Sequence, residues 1–240
     1  MPPSRPSAVL AALLVIAACH CGAAADGPPE APQAETPVAR PDRHPDLKRL
    51  SKTGEVWIDP IRKQVVVGAK VVLDKGPIEV FACPERTKEH EALVATRSLA
   101  QEVHAALLAI GLEPGRPVRF DPQYAPAQGP KVKIIMRWKD AAGGMQECRA
   151  QEWIRNTKTD AHLDADWVFA GSILWKDPND GSQYYQAEGG DLVCVSNFPA
   201  ATLDLPVESS QSNEALLFEA FAGRVPPRDT EVEMILSAGD

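Results

Sequence analysis

Cys83 stands seven positions before the pair His90-Glu91 in FACPERTKEHE (81–91), and Cys194 lies in VCVSNF (193–198), with Asp191 just upstream and Ser196 and Asn197 just after it. These residue types suit three chemistries. Zinc takes thiolate and imidazole ligands in tetrahedral sets, so Cys83, His90 and a distant Asp191 or Cys194 would form a site. A thiol hydrolase needs a thiolate, a base and an orienting group, which Cys194, His90 and Asn197 or Asp191 would supply. Ser196 is the alternative nucleophile. Spacing weakens the local version of each. A zinc-protease helix HExxH requires histidine at position 94, where the chain has Val94, and VCVSNF lacks the G-x-S-x-G elbow. The catalytic candidates are therefore Cys83, His90, Glu91 and Cys194, and they act only if the fold brings distant segments together. The plainer expectation is that His90 and Glu91 sit in a polar loop, with no metal bound.

The cysteines also carry compartment information. MPPSRPS has Arg5 and no acid, AVLAALLVIAA (8–18) is an eleven-residue apolar run, and IAAC (16–19) places small residues directly before Cys19. A spanning helix needs about 20 apolar residues, so this pattern is that of an export leader. It is similar to the lipobox of bacterial lipoproteins, which implies cleavage after residue 18 and lipid on Cys19. His20 follows the cysteine, rather than the aspartate that favours inner-membrane retention, so the expected address is the outer membrane, facing the periplasm. Cys19, His20 and Cys21 supply only part of a tetrahedral metal set. In an oxidising compartment pairing is the default, and Cys83 with Cys194 is the favoured disulfide. Two buried free thiols, or a metal or nucleophile role, remain as alternatives. Cys148 in MQECRAQEWI reads as a spectator.

With 25 basic and 33 acidic residues the chain has a formal charge of −8, and loss of Arg5 with the leader makes it −9. Nucleic-acid binding requires basic side chains to neutralise phosphates, so it is excluded, and nothing draws this surface to anionic lipid. The membrane partner is reached through the lipid. Any other partner is an envelope protein or a small ligand. Residues 19–47 are rich in Ala and Pro without apolar periodicity and read as an extended tether; 48–240 form one domain.

Within that domain short β-like runs dominate: EVWID (55–59), QVVVGAKVVL (64–73), IEVFAC (78–83), KVKIIMRW (131–138) paired with MQECRAQEWI (145–154), and DWVFAGSILW (166–175) paired with SQYYQAE (182–188) through KDPNDG. In KDPNDG the glycine falls at the fifth position, where a calcium loop needs a ligand, so turn chemistry is expected. SLAQEVHAALLAIG (98–111) predicts a helix over 98–110, with Ser98 and Gln101 as a capping box. NEALLFEAF predicts a second over 212–222. Each helix follows a cysteine-bearing strand and precedes a Gly/Pro turn and another strand, which suggests two related ββαβ halves. The expected class is α+β, with an antiparallel-rich sheet and two principal helices. His104 is expected under the sheet, His162 in an acidic loop, and the tryptophans (Trp57, Trp138, Trp153, Trp167, Trp175) in packing rather than on a carbohydrate platform, unless a pair of them is exposed.

FACPERTKEHEALV, VHAALLAIGLEPGRPV, DWVFAGSILWKD and VSNFPAATLDLPVESSQSNEALLFEAF resemble the YdjY-domain proteins, predicted lipoproteins of planctomycetes and other bacteria, over nearly all of residues 50–237. The resemblance implies an exported, lipid-anchored module and carries no activity with it. Some members have been described as ferredoxin-like, but the C-x2-C-x2-C-x3-C run of a four-iron cluster is missing here. The expectation is a non-enzymatic binding or scaffold protein, with a metal- or thiol-dependent enzyme at Cys83, His90 and Cys194 as the alternative.

Overall fold

The computed structural model describes residues 41–209 and 217–239. Eight strands close into a barrel: β1 (Gln64–Val71), β2 (Val80–Pro84), β3 (Ala92–Thr96), β4 (Lys131–Lys139), β5 (Trp167–Phe169), β6 (Val193–Cys194), β7 (Leu203–Asp204) and β8 (Glu231–Ala238). Around the ring the order is β1-β8-β4-β5-β7-β6-β2-β3, and β3 returns to β1 through Lys70 opposite Ala95 and Val71 opposite Val94. Closure removes the open edges that an eight-stranded sheet would otherwise expose.

Alternation along the strands tells which side faces in. Val65 and Val67 on β1, Val132, Ile134 and Met136 on β4, Trp167 and Phe169 on β5, and Val232, Met234 and Leu236 on β8 all join one buried cluster, as the two-residue period of a strand requires. Phe81 and Trp153 fill the same space, so the barrel interior is a packed core. The opposite face of β1 and β8 puts Val66 and Ile235 against Trp57, which lies in the flanking strand Val56–Asp59.

Exchanging each strand with the one four places later in the chain maps the ring, and the sense of every pairing, onto itself. The two halves are thus related by pairing order. They are not ββαβ units, and the expected α+β class is corrected: the described residues are mostly β, with one α-helix. Of the second predicted helix, 212–216 lie outside the described residues, while Phe218–Ala220 form a strand between Gly76–Pro77 and Ile154–Asn156. Glu, Ala and Leu favour a helix there, but two strand partners override so weak a local preference.

The one helix, α1 (Ala100–Ala109), presents Ala100, Val103, Ala106 and Leu107 to the barrel core. It matches the predicted 98–110 to within two residues, but its cap is different. Ser98 is buried and accepts the Glu55 amide at 2.8 Å. The Glu102 carboxylate accepts the Leu99 amide, and Glu188, from a 3-10 turn 87 residues away in sequence, accepts the amides of Ala100 (3.0 Å) and Gln101 (2.9 Å). A carboxylate suits these amides twice over, as a hydrogen-bond acceptor and as an anion at the positive helix end.

The predicted tether boundary at residue 47 also moves. Asp42 accepts the Trp57 indole N–H at 2.7 Å, His44 Nε2 lies 2.8 Å from Glu233, and the Arg43 and Arg49 guanidiniums lie over the Trp57 ring. Residues 42–47 therefore belong to the domain.

Glu188→Ala should lower stability by about 1–2 kcal/mol, the usual cost of an N-cap with its charge. Urea unfolding checks this, and an unchanged midpoint and slope would show that the remote cap contributes nothing.

Candidate functional site

Two of the eight neighbour pairs in the ring run parallel, β2 with β3 and β6 with β7, and they flank the antiparallel pair β2/β6. A parallel neighbour must be reached by carrying the chain back along the strand. Here residues 85–91 and 195–202 make those returns, without a helix. The catalytic candidates from the sequence, with Asp191, Ser196 and Asn197, lie in or beside these two crossovers. Cys83 is the penultimate residue of β2, His90 and Glu91 close the first return, Asp191 and Cys194 precede the second, and Ser196 and Asn197 lie near its start.

The returns seal the thiols. Cys83 and Cys194 have no exposed surface and share a small cluster with Val80, Ala92, Ala95 and Ala201, under Phe198. Burial pushes the Cys83 thiol up to about 12 and Cys194 well above its ordinary value. Both are free thiols, and no two described cysteines lie at disulfide distance. Cys148 is half-buried, and its thiol is pushed up to about 11 by burial and the Glu152 carboxylate. A thiolate is the nucleophile and the metal ligand, so burial disfavours the reactive form at all three.

His90 turns the other way. Its side chain is 77% exposed, and its nearest acid is Glu91 at 3.8 Å. Cys83, His90 and Cys194 therefore do not converge. Among the described residues no group of three or more His, Cys, Asp or Glu could hold a metal ion. His162 is exposed in its loop, while Asp160 and Asp166 pair with Arg155 and Arg149. In KDPNDG, Asp177 accepts the Asn179 amide and Asp180 the Ser182 amide, as a turn requires.

The charged group that organises the site is Lys88, two positions before His90. Its ammonium lies 3.2 Å from Glu91, 3.1 Å from Asp191 and 4.3 Å from the centre of the Phe198 ring. Its stem passes so close to Gly190 that a Cβ there would meet it at 2.4 Å, and Gly190 has a positive φ of 127°. Lys88 thus pins the first return to the second. Burial alone would lower its pKa, but Asp191 and Glu91 raise it. Burial raises Asp191 and also Glu79, where Glu91 and Asp191 add repulsion. An ammonium paired with two carboxylates is held by them, and is not free as a base or Schiff-base amine.

Beneath the second return, Asp204 is fully buried. Its Oδ1 accepts the Leu205 amide at 2.8 Å and the Asn197 side-chain amide at 3.3 Å; Asn197 also donates to the Leu205 carbonyl and accepts the Ser209 amide. Burial outweighs these bonds and lifts the carboxyl to about 8. No periodic signal marks Asp204 in the sequence, because β7 is only two residues long. His104 was expected under the sheet. It stacks edge-on against Phe169 and lies 2.9 Å from the Tyr185 hydroxyl, with its pKa lowered by burial.

Residues 56–237 match the family model of the YdjY domain. The chain belongs to the YdjY domain family. No curated protein and no solved structure gives a match. The YdjY domain thus spans the whole ring, from the strand before β1 to the penultimate residue of β8, and includes both crossovers.

Two outcomes are expected. In native protein at pH 8, Cys83 and Cys194 should resist a thiol reagent that labels them at once in denaturant; rapid labelling of either would contradict the sealing. For Asp204 the folded pKa exceeds the ordinary 3.8, so the folded state holds its proton more tightly. Stability should then fall as pH rises from about 4 to about 8. Asp204→Asn should flatten that slope in urea titrations, and an equal slope in both proteins would refute the assignment.

Proposed function

We propose that this YdjY-domain protein is a lipid-anchored lipoprotein of the bacterial cell envelope whose barrel domain binds a partner without transforming it. The observation that carries the binding reading is the separation of the chemical residues. Both candidate thiols are sealed in an apolar cluster, His90 faces water, and Lys88 is held by carboxylates. A nucleophile must meet its base within hydrogen-bond reach, and none of the sequence candidates does.

The anchoring reading rests on the order of Arg5, the apolar run 8–18 and the small residues before Cys19. The outer membrane, seen from the periplasm, is the proposed address. With a core that fills the barrel, a partner must be met on the outer surface, and the acidic charge favours an envelope protein or small ligand over nucleic acid.

Cys19→Ala tests the anchor. The wild-type chain should sediment with membranes and take up a fatty-acid label in a bacterial host, and the variant should be soluble and unlabelled. A variant that still sediments and still carries label would overturn lipidation at this cysteine.

A further inference from the structure

Nine large apolar side chains of the described residues are exposed, and four of them, Ile173, Leu174, Trp175 and Tyr184, fall within twelve positions. They occupy a two-stranded ribbon, Leu174–Lys176 with Gln183–Tyr185, that stands apart from the barrel sheet. Trp175 and Tyr184 are register partners, so both side chains leave the same face, with Cβ atoms about 5 Å apart. They are 44% and 47% exposed. Ile173, two residues before Trp175, extends that face. Neither ring enters a ring–ring or cation–ring contact among the described residues.

The platform is held firmly from behind. Tyr185, on the other face, turns its hydroxyl inward to Thr202 Oγ1 (2.9 Å), the Gly171 carbonyl (3.2 Å) and His104 Nδ1 (2.9 Å). Ser172 Oγ donates to the Ala200 carbonyl, and the Gln186 amide donates to the Ile173 carbonyl. A two-stranded ribbon alone is marginal in water; these ties fix it and reduce the ordering cost of binding.

We propose that the Trp175–Tyr184 face binds a neutral polysaccharide of β-linked, gluco-configured sugars, an inference that rests on the binding-module reading. Such sugars carry their hydroxyls equatorially, leaving flat C–H faces whose positive hydrogens suit the negative face of an aromatic ring. The turn that joins the two strands carries Asp177, Asn179 and Asp180, exposed polar groups next in sequence to the aromatic pair that can meet sugar hydroxyls. Lys176 is the single cation of the ribbon and its turn. That balance repels phosphate and anionic headgroups. The ribbon is also a poor membrane wedge, because its tip is the polar KDPNDG turn, and sinking Asp177 and Asp180 into hydrocarbon is costly.

The test uses the full chain and its Cys19→Ala variant. Cellohexaose and chitohexaose are titrated by calorimetry, with cellulose and chitin pull-downs beside them. Saturable binding of at least one sugar is expected, weakened roughly tenfold or more by Trp175→Ala and by Tyr184→Ala. Both variants should keep the wild-type melting temperature, because these side chains are exposed. Ile61→Ala, an exposed isoleucine in the turn between Val56–Asp59 and β1, should bind as wild type does. Wild type that binds neither sugar, or aromatic variants that bind equally well, would overturn the proposal. So would partition into phosphatidylcholine vesicles that Trp175→Ala abolishes while no sugar binds. Sugar binding by a wild-type chain shown to carry no lipid at Cys19 supports the platform and sinks the anchor alone.

Discussion

The constraint on which the rest depends is the pair of parallel neighbours in an otherwise antiparallel ring. Parallel strands usually need a crossover of a dozen or more residues, most often helical. Here β2 reaches β3 through 85–91, and β6 reaches β7 through 195–202. Seven residues extend to about 24 Å at most, enough to walk back along a five-residue strand but not enough to build a helix over it. The returning chain must itself cover the outer face of the strands. Its backbone and side chains then lie against the barrel, where buried polar groups need partners. The Glu79 carbonyl accepts the amides of both Val195 and Ser196, Asn197 engages three groups, and Lys88 crosses from one return to the other.

That explains why residues that look chemical cluster without forming a reactive site. Cysteines lie under the returns because a small apolar side chain fits between closely laid backbones, and a buried thiol behaves as such a side chain. Acids and a lysine rim the same seam because the short loops expose few apolar groups of their own. A buried ion cluster is weak evidence for stability, since desolvation offsets much of the attraction. What the Lys88–Glu91–Asp191 cluster supplies is register: it fixes where one return meets the other, and Gly190 leaves the space for it. The pairing symmetry brings equivalent seams together at the β2/β6 contact, so residues 111 positions apart, Cys83 and Cys194, share one cluster without being bonded.

Much of the secondary structure is legible in the sequence, because strands and α1 carry their own periodicity. The runs expected at 64–73 and 131–138 appear as β1 and β4, the hairpin through KDAAGG forms between 131–139 and 145–149, and α1 lies where the leucine spacing puts it. The class was not legible. Barrel closure depends on pairings such as Lys70 with Ala95, which no local pattern encodes. NEALLFEAF reads as helix because propensity is local, whereas the strand Phe218–Ala220 is set by neighbours at 76–77 and 154–156. The α1 cap was misassigned for the same reason: Ser98 fits the local motif, but the acceptor comes from Glu188. Lys88 and Asp204 were missed because their environments arise from segments distant in sequence, and the exposed face of Trp175 was missed because tryptophan in a strand ordinarily packs inward.

The packed interior also decides where recognition can occur. Val65, Ile134, Trp167 and Met234 fill the space that a ligand-binding barrel leaves open, so variation in function within this architecture must reside on the attachments. Two of these are distinctive. One is the aromatic ribbon, braced on Tyr185. The other is the strap at residues 42–47, clamped by Asp42 and Arg43 on Trp57 and by His44 on Glu233. Recognition on such an attachment depends on how firmly it is held, and the ribbon is fixed from behind by Tyr185 on Thr202, Gly171 and His104, which lowers the ordering cost of binding there.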